Sequence, residues 1–212
     1  MGKEADILNS ALIVVDMQND FLHKDGYFGK AAKNGAPYDM VFFASPATNI
    51  KRLAAAFRGA HRPVFFITMV LKPDYSDACF PYWRFPGAIG NKFLVEGTWG
   101  AEIIAELTPE EGDHVVVKTG YGGFYNTPLA SMLRNLKVGT CVITGVGTPV
   151  CVSTTCREGV SRNFLVVVVS DATASTDSKS HEAELLHLAH PFADVMTTNE
   201  VIGMLERRHI AL

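Results

Sequence analysis

Short apolar runs rich in β-branched residues recur along the chain, with longer amphipathic segments between them. Val166–Val169 is a run of four valines, which is typical of a strand buried on both faces, as in a parallel sheet. Such runs predict strands at Ala11–Asp16, Val64–Val70, His114–Val117, Thr140–Val146, Leu165–Ser170 and Ala193–Thr197. A chain that alternates such strands with helices is constrained to an α/β fold, with helices on both faces of a doubly wound sheet.

Helical patterns lie between most of these strands. Ser45 followed by Pro46 is typical of an N-cap with proline at the first helical position. We predict helices at Ala47–Ala60, Thr98–Leu107, Thr127–Asn135, Val152–Arg162, Ser180–Ala189 and Asn199–Arg208. Leu22–Phe43 and Lys72–Gly97 fit neither pattern, so we expect irregular insertions over the carboxyl edge of the sheet, where such folds bind ligands. No linker or repeat divides the chain, which predicts one three-layer αβα domain over residues 1–212.

Composition and charge limit the kinds of molecule that this protein is expected to bind and the compartment in which it is expected to occur. The 212 residues carry a formal net charge of −3, which gives no basic surface for nucleic acid. No apolar run reaches the roughly 18 residues that span a bilayer, and the polar segment Met1–Asp6 is not typical of a signal peptide. The four cysteines (79, 141, 151 and 156) have neither zinc-finger nor C-x-x-C spacing and fit a reducing compartment. We therefore expect a cytoplasmic protein that binds neither nucleic acid nor membrane.

Three polar residues stand where predicted strands end. Asp16 and Lys118 close the first and third strands, and Cys151 follows the fourth at the start of a predicted helix. The unpaired N–H groups of a helix N-terminus favour a thiolate, and a carboxylate and an ammonium beside it would supply a base and a stabilising charge. Each residue alone also has a structural explanation, as a turn cap, a solvent-exposed lysine or a buried thiol. Their placement at one sheet edge leaves the two interpretations about equally supported by spacing alone.

Three ordered segments also resemble the motifs of the isochorismatase-like cysteine hydrolases. They are Val14–Phe21, Lys118–Leu129 and Thr144–Thr155. The resemblance implies a Rossmann-like six-stranded parallel sheet, an Asp16–Lys118–Cys151 catalytic triad and a cis peptide at Val146–Gly147. It also implies an oxyanion hole formed by the N–H groups of Gly147 and Cys151. Pro149 departs from the family pattern, which usually has Asn or Asp there, and proline removes one N–H donor.

The motifs further favour one branch of this family. The nicotinamidase branch has metal-binding histidines after the second strand, but Thr68–Asp77 contains none, so we predict no metal and no cofactor. Cys151 argues against the branch that hydrolyses vinyl ethers, which typically lacks the cysteine. The remaining branch holds metal-free amidases of carbamoyl and ureido compounds, including N-carbamoylsarcosine amidases. Tyr121–Leu129 is similar to ureidoacrylate amidohydrolases, whereas Cys151–Thr155 is similar to biuret hydrolases.

The resemblance thus predicts a hydrolase that cleaves an amide, ureido or N-carbamoyl C–N bond of a small molecule through a thioester on Cys151. Oligomers are common in the family, so we expect a homo-oligomer. The residues predicted to bind substrate are Phe21, Tyr27, Arg84, Trp99, Phe124 and Tyr125, with Arg84 or Lys72 as possible partners of a substrate carboxylate. The alternatives are a vinyl-ether hydrolase, a non-catalytic binding protein of the same fold, and a redox sensor based on Cys151 and Cys156.

Overall fold

A six-stranded parallel sheet forms the centre of the structure, a computed structural model that describes residues 6–207. Its strands are β1 (Ser10–Val15), β2 (Val64–Met69), β3 (His114–Lys118), β4 (Thr140–Val146), β5 (Leu165–Ala174) and β6 (Asp194–Met196). Their spatial order is β3-β2-β1-β4-β5-β6. Every residue of β1 and β4 is buried, as expected for strands covered on both faces. The predicted fold class is confirmed.

The order of the strands creates a crevice between β1 and β4. These two strands pair with each other, from Ser10 beside Thr140 to Val15 beside Gly145. After β1 the chain continues towards β2 and after β4 towards β5, so the connections leave in opposite directions. Such a switch point leaves an opening at the carboxyl ends of the strands, where ligands bind in folds of this type.

Eight α-helices are found in the part of the chain that the structure describes. They are α1 (Asn19–Leu22), α2 (Tyr27–Lys33), α3 (Met40–Ala44), α4 (Pro46–Gly59), α5 (Leu129–Asn135), α6 (Ser153–Val160), α7 (Ser178–Leu188) and α8 (Thr198–Arg207). The helix predicted to reach Arg208 is present up to Arg207, and Arg208 lies outside the described residues. None of these helices has the length and apolar character needed to cross a bilayer.

Two predictions about local structure are wrong. The segment Thr98–Leu107 is not a helix but holds two short 3-10 turns, because its backbone bonds to the chain after β1: Ile104 N–H donates to Met17 O and Asn19 N–H to Glu102 O. The segment Leu22–Phe43 is not irregular, since it contains α2 and most of α3. The Asp39 carboxylate caps α3 by accepting from the N–H of Phe42 at 2.9 Å. The other insertion, 72–97, has only one 3-10 turn.

Candidate active site

Asp16 is the first residue after β1, and its side chain is completely buried. Its N–H still bonds to Ile67 O of β2 at 2.8 Å, but its φ of +54° turns the chain out of the strand. Aspartate adopts this left-handed conformation more readily than most residues. The turn ends β1 and leaves the carboxylate at the crevice between β1 and β4.

Lys118 ends β3 and pairs with Asp16 across the end of β2. Its Nζ lies 2.9 Å from Asp16 Oδ2 and 2.9 Å from Gly120 O, and both side chains of the ion pair are 0% exposed. An isolated charge at this depth would be strongly destabilising, so each residue requires the other. The second carboxylate oxygen, Asp16 Oδ1, has no hydrogen-bond partner among residues 6–207.

Cys151 lies in a single π-helical turn, Thr148–Val152, that connects β4 to α6. The α-helix therefore begins at Ser153, one residue later than the predicted start at Val152. This π-helical turn follows a cis peptide between Val146 and Gly147. Thr148, its first residue, is hydrogen-bonded to α7, with 2.8 Å between Thr148 Oγ1 and His181 Nδ1. π-helical turns of this kind are frequent at functional sites.

The three side chains influence one another's protonation. Burial raises the pKa of Asp16, although Lys118 opposes the shift. Burial lowers the pKa of Lys118, but the charges of Asp16 and Cys151 outweigh it and the net shift is upward. Burial and then the negative charge of Asp16 raise the pKa of the Cys151 thiol, while Lys118 lowers it less. Burial and the Asp16 carboxylate thus oppose the thiolate that was expected from the sequence at this helix N-terminus, and that expectation stays a prediction.

A cavity of about 200 Å³ opens above Cys151 and Gly147. The insertions supply much of its wall, including Phe28 of α2 and Phe80, Phe85 and Phe93 of the segment 72–97. Sequence reasoning missed these four phenylalanines, since the insertions carry no periodic pattern that says which side chains point inward. The density of aromatic residues between Phe80 and Phe93 was the one available signal.

The cavity contains some of the residues predicted to bind substrate but not others. Phe21 is part of its wall. Tyr27 lies behind the wall, with its ring centroid 4.4 Å from that of Phe93 and its hydroxyl donating to Pro86 O at 2.8 Å. Arg84 is exposed, and its charge lowers the pKa of the wall residue Tyr121 against the larger, upward effect of burial.

Trp99, Phe124 and Tyr125 do not border the cavity, and their assignment as substrate-binding residues stays a prediction. Trp99 packs edge-on against His23 at 4.9 Å beside a separate surface depression. The Phe124 ring stacks on Phe164 at 5.7 Å, and Tyr125 is 53% exposed. In the loop after Lys118, the Phe124 ring is buried beside Gly159 of α6, whereas Tyr125 faces solvent.

Two side chains of α6 hold that loop. The Thr155 hydroxyl donates to Cys151 O at 2.7 Å and accepts from Gly123 N–H at 3.0 Å. Glu158 Oε2 accepts from the N–H groups of Phe124 and Tyr125 at 2.9 and 3.1 Å. The helix that follows the nucleophile candidate thus fixes the loop that follows the lysine.

A buried carboxylate, Asp20, joins the two insertions. Its Oδ1 accepts from Tyr27 N–H at 3.1 Å and its Oδ2 from Leu94 N–H at 2.7 Å. Gly100 lies so close that a Cβ there would collide with the carboxylate. The aromatic wall from both insertions is therefore fixed to the chain just after β1.

The structure also bears on metal ligands. Across residues 6–207, no group of three or more His, Cys, Asp or Glu side chains is arranged to hold a metal ion. The sequence-based expectation of a metal-free site stays a prediction.

Comparison with known proteins places these features in context. The profile of the isochorismatase domain matches residues 10–200. The chain is 38% identical to a ureidoacrylate amidohydrolase of Methylorubrum extorquens over 176 residues, which cover 77% of this chain and 69% of that protein. It is 34% identical to another from Methylobacterium radiotolerans, over 95% of this chain and 83% of that protein.

Solved structures of a cysteine hydrolase and an amidase also superpose on this chain. A cysteine hydrolase from Pseudomonas syringae superposes with a TM-score of 0.85 at 30% identity, covering 98% of this chain and 99% of that one. An N-carbamoylsarcosine amidase from Thermoplasma acidophilum superposes with a TM-score of 0.71 at 28% identity, covering 90% and 96%.

Proposed function

This chain belongs to the isochorismatase domain family, and from that premise we propose that it is an amidohydrolase acting on a small molecule. The bond cleaved is a non-peptide C–N bond of an amide, ureido or N-carbamoyl group. The observation that carries the proposal is the Cys151 thiol at the floor of a cavity, coupled to a buried carboxylate whose Oδ1 has no partner in the described chain.

In the proposed mechanism Asp16 is the base. Because burial raises its pKa, Asp16 accepts a proton more readily than an ordinary carboxylate. As substrate enters, Asp16 takes the proton of Cys151 and the sulfur attacks the carbonyl carbon. Lys118 keeps its proton throughout and offsets the negative charge that moves from Asp16 to sulfur.

The oxyanion that forms needs donors beside Cys151. The Gly147 N–H has no backbone or side-chain acceptor among the described residues, and Gly147 and Cys151 both border the cavity. We assign the N–H groups of these two residues to the oxyanion. Pro149 removes a donor from the same turn, but neither of these two.

Collapse of the tetrahedral intermediate completes the reaction. The C–N bond breaks and Asp16 returns its proton to the departing nitrogen. Ammonia or an amine is released, and the acyl group remains bound to Cys151 as a thioester. Water then attacks the thioester with Asp16 again as base. The products are the acid and the free thiol, and the net reaction consumes one water.

Ammonia release tests the proposed function. Purified protein is incubated with biuret, N-carbamoyl amino acids, ureidoacrylate and simple amides, with and without EDTA. Release that EDTA does not change supports a metal-free amidohydrolase. No release from any of them, together with a Cys151 that fails to react with thiol reagents, would instead favour a non-catalytic binding protein of this fold.

The pH profile of kcat/KM is expected to be a plateau across neutral pH. Activity requires Asp16 as carboxylate, and burial raises its pKa from 3.8, so activity is lost as the pH falls through a value above 3.8. It also requires protonated Lys118, whose pKa lies above 10.5 because Asp16 and Cys151 outweigh burial, so no alkaline loss is expected below that pH. Rates measured at constant ionic strength check this, and a rate that climbs with pH as the thiol ionises would contradict it.

We further propose that the protein works in the cytoplasm as a homo-oligomer, as the family resemblance implies. Light scattering during size-exclusion chromatography measures the assembly directly.

A further inference from the structure

The wall of the active-site cavity is almost entirely hydrocarbon. Phenylalanines from both insertions, together with Met69 and Val150, form most of it. Within residues 6–207, no Asp, Glu, Lys, Arg or His side chain borders the cavity. The hydroxyls of Ser175 and Thr176 are its polar side-chain groups apart from the two tyrosines and Cys151.

Within residues 6–207, the cations nearest the site do not border the cavity, although the charge of Arg84 acts on the wall residue Tyr121. Lys118 is completely buried beneath the cavity and donates to Asp16 and Gly120. Its charge also acts on Cys151. Arg84 and Lys72, which the sequence suggested as partners for a substrate carboxylate, are both exposed and neither borders the cavity.

An anionic substrate would therefore exchange its hydration for a mostly hydrocarbon wall that offers hydroxyl groups but no cation. A carboxylate transferred into an apolar environment is strongly disfavoured unless a cation or several donors meet it. A hydrocarbon group, in contrast, gains from every methylene placed against this wall.

We propose that the substrate is an uncharged amide or carbamoyl compound whose acyl group bears a hydrocarbon chain or ring, and not an anionic ureido or carbamoyl acid. This inference rests on the proposed amidohydrolase function. The reacting carbonyl lies at Cys151 and Gly147, and the hydrocarbon group lies against Phe28, Phe85 and Phe93.

A matched pair of substrates tests the charge preference. Hexanamide and adipamate, the monoamide of adipic acid, have the same chain length and differ in a terminal methyl or carboxylate. We expect kcat/KM for hexanamide to exceed that for adipamate by at least about tenfold, since the carboxylate would be buried unpaired. A smaller difference, or a preference for adipamate, overturns the proposal while leaving the proposed function intact.

Chain length tests the apolar contact. Each methylene buried against the wall is expected to raise kcat/KM by roughly fourfold, so hexanamide is expected to exceed acetamide by at least about tenfold. Equal values for the two amides overturn the proposal.

The variant Arg84→Gln distinguishes an uncharged substrate from the alternative in which Arg84 binds a substrate carboxylate. If the substrate is uncharged, the ratio of kcat/KM for hexanamide to that for adipamate stays the same in this variant. If Arg84 anchors a carboxylate, adipamate is a good substrate of the wild type and a poor one of Arg84→Gln, which overturns the proposal.

Alkylation gives a readout that needs no turnover. Iodoacetamide is neutral and iodoacetate is anionic. The rate of alkylation by iodoacetamide is divided by the rate by iodoacetate at the same cysteine, so that the intrinsic reactivity of the thiol, which enters both rates, cancels. We expect this ratio at Cys151 to exceed the ratio at exposed Cys79 by at least about tenfold, measured by peptide mass spectrometry. A similar ratio at both cysteines overturns the charge preference, even if none of the amides is hydrolysed and the proposed function fails.

Discussion

Replacing Cys151 by alanine is expected to lower kcat by at least about 10⁴-fold, because the variant has no atom to form the thioester. The fold is expected to remain. The substitution removes only Sγ, which borders an open cavity, so the free energy of unfolding should fall by about 1 kcal/mol or less. Steady-state ammonia release and thermal unfolding measure the two effects.

Cys79→Ala is the matched control, since it removes an exposed thiol and should leave kcat unchanged. Rapid quenching followed by intact-mass analysis gives a second readout: the wild type should carry the acyl group and Cys151→Ala should not. Residual activity above about 1% of wild type would rule out the covalent mechanism. It would favour a reaction driven by the acid alone, as in the vinyl-ether alternative.

Lys118→Met is expected to have the second largest effect, on stability as well as on rate. It leaves Asp16 buried without a counter-charge, which typically costs about 3–5 kcal/mol of unfolding free energy. For a chain of this size that corresponds to a fall in Tm of about 10 °C. Lys51→Met is the control, because Lys51 is exposed on α4 and such surface changes usually stay within about 0.5 kcal/mol.

The pH profile distinguishes a role in the reaction from a purely structural one. Lys118 lowers the pKa of Asp16, so its removal raises that pKa further. The acid limb of kcat/KM in Lys118→Met should therefore move to higher pH, at temperatures where the variant is folded. A variant that is less stable but keeps the wild-type acid limb would show that Lys118 does not set the protonation of Asp16.

The sequence was most informative where a physical rule links position to geometry. Strands of a parallel sheet end at one edge, so Asp16 and Lys118 could be expected to meet although 102 positions separate them. Buried valine runs indicated the strands because both faces of a parallel sheet are covered by helices. The upward shift of the Cys151 pKa was not predictable, because its burial beside Asp16 depends on how the chain packs around the turn.

The substrate-facing side chains were harder to predict. Phe28 and Phe93 lie in segments without periodicity, and their orientation depends on Asp20 accepting hydrogen bonds from both segments. Phe124 and Tyr125 follow Lys118 closely in sequence, yet Glu158 binds their backbone N–H groups and their rings do not enter the cavity.

The double hydrogen bonding of Asp20 also limits how this protein can be re-engineered. One carboxylate satisfies a backbone donor from each insertion, so an insertion exchanged alone would leave either an unmatched acceptor or a misplaced loop. Loop grafting from a relative should therefore transfer both segments as one module, together with Gly100, whose missing side chain makes room for the carboxylate. Libraries that vary the two segments jointly should yield more folded members than libraries that recombine them independently.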